Sequence, residues 1–540
     1  MLKNFIPEGV ADLNYDEYEK IQSIENSLVK VFSDSGYRQI QTPTFEYFDL
    51  FASESVSAGT EDMYKIMDAN GKMMVLRPDA TIPIARMIAT THKRNDGEIK
   101  LMYVTNVYRS ADFRAGERRE FKQAGIEYFG TCSPETDANV IETAIKALSA
   151  AGFSDLKTEL GDSNYFSGLL DELEKDGKIT LKEQTTHLRE LIETKNVPAI
   201  QMFADDNGIE GKSREVLLAL PVLFGDMDDV ITRATELALN DKMREAIENV
   251  KAIKEVMGDS IEISVDMGLV NRLEYYSGMI FKVYLKNTGV IVGSGGRYDQ
   301  LMTKFGRDIP AVGFGLNVNT LFDALGADAS DSQVLNIALG KGRLADTTVK
   351  QLQSIGIEFP DYSKESRKLF FTDSTGKFRI IFVKAVDVGI YVEKGACDVG
   401  VIGKDTLLES GSDVFEMLDL GFGKCKFAVA APDGFKYDKT KKLRVATKYP
   451  NVAKQYFAKM GRSIEIIKIN GSVELAPLIG LSDVIVDIVE TGTTLKENGL
   501  SVVEEIADIS ARFIVNRASL KTKEKQVAEI MEALRERNQQ

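Results

Sequence analysis

Cysteine and histidine are scarce in this sequence of 540 residues, which contains three cysteines and two histidines. The cysteines, Cys132, Cys397 and Cys425, are odd in number and far apart, so they indicate neither a disulfide framework nor a zinc motif. His92 and His187 are isolated in the same way, and a histidine-based metal site or a Ser-His-Asp triad would need partners that the chain hardly offers. We therefore expect the chemistry to depend on arginine, lysine, carboxylate and threonine side chains and on backbone amides.

Long apolar runs are also missing, since none approaches the roughly 20 residues that a membrane-spanning helix needs. The N-terminal residues lead directly into acidic, amphipathic sequence and lack the apolar core of a signal peptide. We therefore expect a cytoplasmic protein without a membrane contact. The formal net charge of −15 argues against a nucleic acid as the main partner, although it leaves room for a local basic pocket that binds a phosphorylated small molecule.

The length predicts several folding units, and a small, polar segment marks one boundary. This segment, GADASDSQ, predicts a linker at residues 326–334 between a first half, 1–325, and a second half, 335–540. In the first half, imperfect alternation of apolar and polar residues predicts strands of an antiparallel sheet, at residues 101–107, 120–128, 280–285 and 312–316. An amphipathic, acidic stretch at about 163–257 predicts an inserted helical subdomain.

In the second half, strand-like runs alternate with helix-like runs, a pattern that predicts an α/β fold with parallel strands and ligand-facing loops at their carboxyl ends. The predicted pairs are 335–339 with 345–355 and 443–447 with 451–460, and a third strand at 484–489 leads into a Thr/Gly loop. The last 20 residues predict an amphipathic helix with Val527, Ile530, Met531 and Leu534 on its apolar side. We expect this side to pack on its own domain, and a dedicated oligomer contact is the alternative.

The strongest local signal for chemistry is VIVDIVETGTTL at residues 484–495. The strand carries Asp487 and is followed by Glu490 and then by the run Thr491, Gly492, Thr493 and Thr494. Backbone amides and hydroxyls in such a run can hold one phosphate, and the acidic residues suit the hydroxyls of a ribose or a magnesium ion. This is the arrangement that phosphoribosyltransferases use for phosphoribosyl pyrophosphate, although a capped strand-to-helix turn has the same local pattern.

Basic residues occur in three further clusters of the second half: Lys341 with Arg343, Arg367 with Lys368, and Arg444 with Lys448. Each cluster alone is typical of a solvated basic turn. Together, in an acidic chain, they indicate a site for polyanions such as ATP and phosphoribosyl pyrophosphate.

The second half resembles the catalytic subunit of ATP phosphoribosyltransferase over residues 335–521, in its short form. The resemblance is carried by ALGKGRL, SRKLFF, YVEKGACDVGVIGKDTLLE, MLDLGFGKCKFAVAAP, RVATKYPNVAKQYF, GSVELAPLIGLSDVIVDIVETGTTL and ARFIVNRAS. It implies two α/β lobes like those of type II periplasmic binding proteins, the second at about 428–512, with the site between them.

The first half resembles histidyl-tRNA synthetase, and so a class II aminoacyl-tRNA-synthetase-like antiparallel sheet domain, over about residues 5–325. The similar segments are GYRQIQTPTFEYFDLF, LRPDATIPIARM, VYRSADFRAGERREFKQAGIEYFG, GLVNRLEYYSGMIFKVY, GGRYDQLMTKFG and PAVGFGLNVNTL. Two catalytic arginines of the synthetases are replaced, by Asn271 (with Arg272 next to it) and by Thr320, and no anticodon-binding domain follows. Loss of these cations removes transition-state stabilisation, so aminoacylation and a tRNA partner are not expected.

The family that shares these departures is the regulatory subunit of ATP phosphoribosyltransferase, a paralogue of the synthetase. Its resemblance implies a histidine pocket, and the matching residues here are Asp79, Thr81, Gln123, Glu127, Tyr275 and Tyr276, with Arg109 at the position of the second synthetase motif. The alternative is that these residues remain only to maintain the fold.

Together, the two resemblances imply an enzyme that transfers phosphoribosyl to N1 of ATP, with Mg²⁺, in a homo-oligomer inhibited by histidine. Arg343 and Arg367, assisted by Lys341, would neutralise the pyrophosphate leaving group. Asp487, Glu490 and residues 491–494 would hold the phosphoribosyl group, and Lys368, Arg444 and Lys448 would bind ATP. Two other interpretations remain open here: a ligase that activates histidine, and a non-enzymatic sensor of histidine or nucleotide.

Overall fold

The computed structural model divides the chain into two compact units, unit 1 (1–330) and unit 2 (331–540). It describes residues 6–52, 63–91, 97–110, 118–258, 261–270, 276–286, 288–325, 334–363, 366, 368–438 and 441–538. Within these ranges, no helix is long and apolar enough to cross a bilayer.

Unit 1 is built on a nine-stranded sheet with a small three-stranded sheet beside it. Its strands are β1 (Arg38–Gln39), β2 (Phe45–Tyr47), β3 (Lys65–Met67), β4 (Met73–Leu76), β5 (Ile99–Tyr108), β6 (Glu120–Phe129), β7 (Leu156–Asp162), β8 (Phe224–Gly225), β9 (Ile263–Asp266), β10 (Met279–Leu285), β11 (Ile291–Arg297) and β12 (Ala311–Asn317). The large sheet has the order β1-β5-β6-β12-β11-β10-β7-β9-β8, and among its described strands only the β1–β5 and β7–β9 pairs are parallel. All four strands predicted from the sequence are therefore confirmed, in an antiparallel-rich sheet.

The helices of unit 1 cover this sheet and form the predicted helical region. They are α1 (Tyr15–Asp34), α2 (Asp49–Ala52), α3 (Thr81–Thr91), α4 (Pro134–Ala150), α5 (Ser163–Lys175), α6 (Lys182–Glu193), α7 (Val197–Asp206), α8 (Gly211–Ala219), α9 (Met227–Leu237), α10 (Asp241–Met257), α11 (Asp299–Lys304) and α12 (Val318–Ala324), with a 3₁₀ turn at Leu220–Val222. Helix α1 begins at a capping box in which Asn14 and Glu17 each bind the other's backbone N–H. Its buried side contributes Ile21, Leu28 and Phe32 to the core.

Unit 2 consists of two lobes, each with its own sheet. The strands are β13 (Leu335–Gly340), β14 (Phe370–Thr372), β15 (Phe378–Val383), β16 (Val399–Gly403), β17 (Phe415–Asp419), β18 (Cys425–Pro432), β19 (Leu443–Thr447), β20 (Ile464–Lys468), β21 (Val484–Val489), β22 (Leu500–Ile509) and β23 (Ala511–Val515). Lobe 1 has the order β14-β15-β13-β16-β23-β17, and lobe 2 has the order β20-β19-β21-β18-β22. The chain enters lobe 2 between β17 and β18 and returns between β22 and β23.

The helices of unit 2 follow the alternating pattern that the sequence predicts. They are α13 (Arg343–Ser354), α14 (Val388–Glu393), α15 (Lys404–Ser410), α16 (Pro450–Lys459), α17 (Leu475–Leu478), α18 (Thr493–Glu497), α19 (Ser519–Thr522) and α20 (Glu524–Asn538), with a 3₁₀ turn at Ala385–Asp387. On the terminal helix α20, Val527, Ile530 and Leu534 are buried in unit 2, as predicted.

The three strands predicted for unit 2, β13, β19 and β21, all lie in parallel pairs, but the two sheets are not parallel throughout. The pairs β13–β15, β13–β16, β19–β20 and β19–β21 are parallel, but β18 and β23 run antiparallel to their neighbours. The cause is the double crossing between the lobes, which inserts returning strands into both sheets. For the same reason lobe 2 spans 425–509 rather than 428–512, because Ala511 and Arg512 already pair within lobe 1.

Candidate functional site

The phosphate-loop candidate lies at the carboxyl end of β21. This strand is parallel to β19, so Val489 and Thr447 end their strands at the same edge of the lobe 2 sheet. Gly492 precedes α18 with a φ of +72°, a left-handed conformation that disfavours side chains with a Cβ. The hydroxyl oxygens of Thr491 and Thr493 are 3.0 Å apart. The loop therefore presents several hydroxyl and amide groups close together at the surface, at the carboxyl end of β21.

Asp487 lies on β21 just before this loop and is half-buried. Burial raises the pKa of its carboxyl group, the negative charges of Glu474 and Asp405 act in the same direction, and the backbone N–H of Ile488 and the charge of Lys448 oppose them. A carboxylate in this environment is stabilised by an added cation or by hydroxyl donors.

The end of β19 is locked against β21 by one threonine. The Thr447 hydroxyl donates a 2.6 Å hydrogen bond to the carbonyl of Val486 and accepts one of 2.8 Å from the backbone N–H of Tyr449. These two bonds hold the turn 447–449, which carries Lys448, next to Val486 and therefore close to Asp487. The turn and the loop thus form one rigid edge of lobe 2.

Arg343 faces this edge from lobe 1. It begins α13, directly after the turn Lys341-Gly342 at the end of β13, and its guanidinium forms an ion pair with Glu490, with 3.2 Å between Nη1 and Oε1. Lys341 is exposed on the same turn. The structure therefore brings Arg343 together with Glu490 across the space between the two lobes.

A cavity of about 1120 Å³ adjoins the loop. Glu490, Thr491 and Gly492 line it together with Lys496, with Lys424 from the segment between β17 and β18, and with Arg512 at the start of β23. The volume lies slightly above the range for small-molecule sites, roughly 300–1,000 Å³. The predicted loop therefore forms part of a concave site large enough for a nucleotide-sized ligand.

Arg444 is not brought to this site. It lies at the amino end of β19, where its guanidinium pairs with Asp483 at 2.7 Å and donates to the carbonyls of Gly480 and Leu481 at 2.8 and 3.3 Å. Lys448, at the opposite end of the strand, is exposed, with its Nζ 5.6 Å from the centre of the Tyr449 ring. The sequence placed these two cations in one cluster because they are close in number, but they lie near opposite ends of β19.

The remaining basic candidates precede β14 in lobe 1. Lys368 is exposed and forms a 3.3 Å ion pair with Asp361. Arg367 lies outside the described residues, so its predicted role as a leaving-group cation stays a prediction.

In unit 1, Glu127 is the centre of a buried polar pocket. It lies on β6 and accepts a 2.6 Å hydrogen bond from the Thr81 hydroxyl and another from the Tyr298 hydroxyl. Burial raises the pKa of Glu127 to about 8, and the charge of Asp79 adds to this, while the two hydrogen bonds oppose it. Asp79 itself accepts a 3.0 Å hydrogen bond from the N–H of Ile82 at the start of α3.

Two glycines of β12 leave the space in which the pocket side chains lie. A Cβ added at Gly313 would meet the carboxylate of Glu127, and one at Gly315 would meet the amide of Gln123. Tyr276 packs against Gly296 of β11. The structure thus brings Asp79, Thr81, Gln123 and Glu127 to one region of the sheet, while Tyr275 lies outside the described residues.

Three further residues, Arg109, Tyr298 and Tyr103, lie in or beside this pocket. Arg109 lies at its edge, with its Nε 3.3 Å from the carbonyl of Pro78 and its guanidinium over the ring of Phe121. Tyr298 was not among the predicted pocket residues, although it lies within GGRYDQLMTKFG, one of the segments similar to histidyl-tRNA synthetase. Tyr103 was missed as well. Burial and then the charges of Glu127 and Asp79 raise the pKa of Tyr103, so it belongs to the same group of side chains.

Fold and site together define the class of each unit. Unit 1 has the antiparallel-rich sheet and buried polar pocket of a class II aminoacyl-tRNA-synthetase-like domain. Unit 2 has the two α/β lobes and the loop of a phosphoribosyl-transferring enzyme. Comparison with known families agrees, since the histidyl-tRNA synthetase family matches residues 9–321 and the ATP phosphoribosyltransferase family matches residues 384–536.

Individual relatives divide in the same way. The ATP phosphoribosyltransferase regulatory subunit of Acetivibrio thermocellus is 37% identical over 326 residues, which is 60% of this chain and 77% of that protein. The ATP phosphoribosyltransferase of Oceanobacillus iheyensis is 52% identical over 202 residues, which is 37% of this chain and 97% of that protein. The chain therefore belongs to the histidyl-tRNA synthetase family, in its regulatory-subunit branch, and through its second unit to the ATP phosphoribosyltransferase family. It is an ATP phosphoribosyltransferase, an enzyme of the first step of histidine biosynthesis, fused to a domain of the regulatory type.

Solved structures agree with the fold. A Bacillus halodurans C structure described as an ATP phosphoribosyltransferase regulatory subunit/histidyl-tRNA synthetase has a TM-score of 0.54 and 26% identity, and the match covers 71% of this chain and 93% of that one. A histidine–tRNA ligase subunit from Alicyclobacillus acidocaldarius has a TM-score of 0.51 and 23% identity over 59% of this chain and 97% of that one, which supports the fold alone.

Proposed function

We propose that lobe 1 and lobe 2 hold opposite ends of one phosphoribosyl pyrophosphate molecule, whose anomeric carbon is attacked by N1 of ATP with release of pyrophosphate. The observation that carries this proposal is the position of Arg343, a lobe 1 cation, opposite Glu490 at the start of the lobe 2 loop. A ligand with two anionic ends fits between a cationic turn and a loop of amides and hydroxyls.

Within this scheme each residue has a defined task. Residues Thr491–Thr494 bind the 5-phosphate, and Asp487 and Glu490 accept hydrogen bonds from the ribose hydroxyls. Arg343, with Lys341 and the predicted Arg367, stabilises the negative charge that grows on the departing pyrophosphate. Adenine N1 is unprotonated at neutral pH and already nucleophilic, so the acceleration comes from charge stabilisation and from the alignment of the two substrates.

Mg²⁺ fits the carboxylates at this site. Asp487 and Glu490 both lie just before the loop, and a magnesium ion in such enzymes is commonly held by one or two carboxylates together with substrate oxygens. Among the described residues no group of three or more candidate ligand side chains could hold a metal by itself. When bound, the ion would supply positive charge to the pyrophosphate, while Asp487 and Glu490 hold it beside the ribose.

ATP is the second substrate, and Lys448 and Lys368 are the proposed cations for its phosphates. Arg444 is not retained in this role, because its guanidinium already binds Asp483 and two carbonyls at the far end of β19. The reaction is assigned to the cytoplasm, where both substrates are produced, and it requires no tRNA.

Unit 1 is proposed to bind histidine at Glu127, with Asp79, Thr81, Gln123 and Tyr276 around it, and thereby to regulate unit 2 within a homo-oligomer. A carboxyl and hydroxyls buried in one pocket suit an imidazole N–H and an α-ammonium group. Inhibition requires that histidine favour one state of the catalytic unit by a coupling free energy of about 1–3 kcal/mol.

The test is an assay of the purified chain with ATP, phosphoribosyl pyrophosphate and Mg²⁺, in which pyrophosphate and the new nucleotide are identified by mass. Formation of both products, reduced by added histidine, is the expected result. If product forms at the same rate with and without histidine, the proposed role of the unit 1 pocket is refuted and the catalytic scheme is retained. Absence of product from folded protein would refute the catalytic scheme, and histidine-dependent exchange between pyrophosphate and ATP would point instead to histidine activation.

A further inference from the structure

A second set of contacts, in which Arg343 takes no part, joins the two lobes of unit 2. Helix α15 of lobe 1 faces the first turn of α16 in lobe 2. The carboxylate of Glu409 accepts hydrogen bonds from the backbone N–H groups of Asn451 and Val452, at 2.9 and 3.1 Å, and the Asn451 side chain donates a 3.0 Å hydrogen bond to the Glu409 carbonyl. Thus one residue of lobe 1 binds both the backbone and a side chain of lobe 2.

Neighbouring residues strengthen the same junction. The Tyr449 hydroxyl donates a 3.1 Å hydrogen bond to Asp405, one turn before Glu409 on α15. Leu408, between them, packs against the lobe 2 core that contains Phe427, Val445 and Phe457. Burial raises the pKa of the Glu409 carboxyl group, and the two backbone N–H groups oppose this. The junction therefore combines hydrogen bonds with an apolar contact between the two lobes.

We infer that Glu409 is a positioning residue for the transfer reaction: it caps α16 from the other lobe and so sets the distance between the Arg343 turn and the loop 490–494. The route is short. Helix α16 follows directly from the turn Thr447–Tyr449, and Thr447 is bonded to the carbonyl of Val486, one residue before Asp487. A change in the angle of α15 against α16 therefore moves the whole lobe 2 edge relative to lobe 1.

This inference rests on the proposed function, since it matters only for a substrate that is held by both lobes. Ribose 5-phosphate has only the part that lobe 2 is proposed to bind. Phosphoribosyl pyrophosphate has in addition the pyrophosphate that reaches Arg343. If Glu409 positions the lobes, its loss weakens binding of the two-lobe ligand and leaves binding of the one-lobe ligand intact.

The experiment compares Glu409→Ala, Glu409→Gln and the control Glu529→Ala in the full chain. Glu529 is an exposed glutamate on α20, in lobe 1. The affinities for ribose 5-phosphate and for phosphoribosyl pyrophosphate with Mg²⁺ are measured by calorimetry, and kcat by product formation. For Glu409→Ala we expect about tenfold weaker binding of phosphoribosyl pyrophosphate and a lower kcat, with unchanged binding of ribose 5-phosphate. Glu409→Gln retains an acceptor oxygen and is expected to restore most of both losses.

Three outcomes would overturn the inference: equal weakening of both ligands, no effect of Glu409→Ala, or no rescue by Glu409→Gln. If Glu409→Ala does not fold, the variant Tyr449→Phe replaces it, because this change removes only the hydroxyl bonded to Asp405. Tyr449→Phe must then weaken binding of phosphoribosyl pyrophosphate, to a smaller extent, and leave binding of ribose 5-phosphate unchanged. Failure of the proposed function gives a different result. In that case the unaltered chain forms no product, and the loop variant Gly492→Ala binds ribose 5-phosphate as the unaltered chain does.

Discussion

Arg343 and Glu490 lie 147 positions apart in sequence and form an ion pair in the structure, with 3.2 Å between guanidinium and carboxylate. Both side chains are largely exposed, at 71% and 56%, so the pair contributes little to stability and is easily displaced by a ligand. Its importance is geometric, because it shows that the turn of lobe 1 and the loop of lobe 2 are within reach of one small molecule.

Replacement of this arginine is the most direct test of the catalytic scheme. Arg343→Ala is expected to raise the barrier of the chemical step by roughly 2–4 kcal/mol, because it removes a cation that stabilises the leaving pyrophosphate. The measurement is the single-turnover rate at saturating substrates. Lys350→Ala, an exposed cation further along α13, serves as the control and is expected to leave this rate unchanged. An unaltered single-turnover rate in Arg343→Ala would refute the assignment.

The two cations of the β19 segment are expected to behave differently. Lys448→Ala should raise KM for ATP about tenfold while the chain stays as stable as before, since an exposed cation near the loop acts on a charged ligand. Arg444→Ala should lower the stability of lobe 2, because it removes the guanidinium that pairs with Asp483 and donates to two carbonyls, and should leave KM for ATP unchanged. Steady-state kinetics and thermal unfolding of both variants separate these effects, and a KM for ATP that rises in both variants would restore the grouping that the sequence alone suggests.

The raised pKa of Glu127 makes the stability of unit 1 depend on pH. The native state holds a proton on this carboxyl up to about pH 8, whereas an unfolded glutamate loses it near its ordinary value of 4.5. Across this window the native state binds more protons, so the free energy of unfolding falls as the pH rises. Glutamine does not titrate, so the free energy of unfolding of Glu127→Gln does not show this fall. The free energy of unfolding of Glu127→Gln minus that of the unaltered chain should therefore increase by more than about 1 kcal/mol between about pH 5 and about pH 8. Urea unfolding followed by hydrogen exchange in unit 1 peptides measures the difference, and a constant difference would contradict the prediction.

Histidine inhibition provides a separate test of the same pocket. Asp79→Asn keeps an oxygen that can cap α3 at Ile82 but removes the charge proposed for the α-ammonium group. We expect the concentration of histidine needed for half inhibition to rise about tenfold. The readout is the ratio of the rates with and without histidine in one preparation, which cancels differences in basal activity. Unchanged inhibition would place the inhibitory histidine elsewhere.

A buried ion pair supports the helical part of unit 1. Lys195 and Asp266 are 2.9 Å apart, with side chains only 5% and 1% exposed, and Lys195 also donates to the carbonyl of Pro221. Lys195→Met is expected to destabilise the unit by about 3–5 kcal/mol, because it leaves a carboxylate buried without its cation. The double variant with Asp266→Asn should recover part of this loss. Urea unfolding of unit 1 measures both, and a loss below about 1 kcal/mol would show that other contacts of Asp266 suffice.

Features that depend on a contiguous stretch of chain were predicted well from the sequence. The bounds of the strands that end in Thr447 and Val489 agree with the structure. A helix begins directly after Gly492, in agreement with the strand-loop-helix pattern of this segment. The division into two halves, the fold class of each and the family relationship were also apparent, because apolar periodicity and local motifs are properties of neighbouring residues.

Features that depend on which segments meet in space were decided only by the tertiary structure. Arg343 reaches Glu490, Glu409 caps α16, and Tyr298 binds Glu127, each across more than a hundred positions or between separate elements. Arg444 shows the converse, since its closeness to Lys448 in sequence becomes separation along a strand. The physical reason is that a sequence pattern records which faces are buried, whereas sheet order and register determine which side chains share an edge.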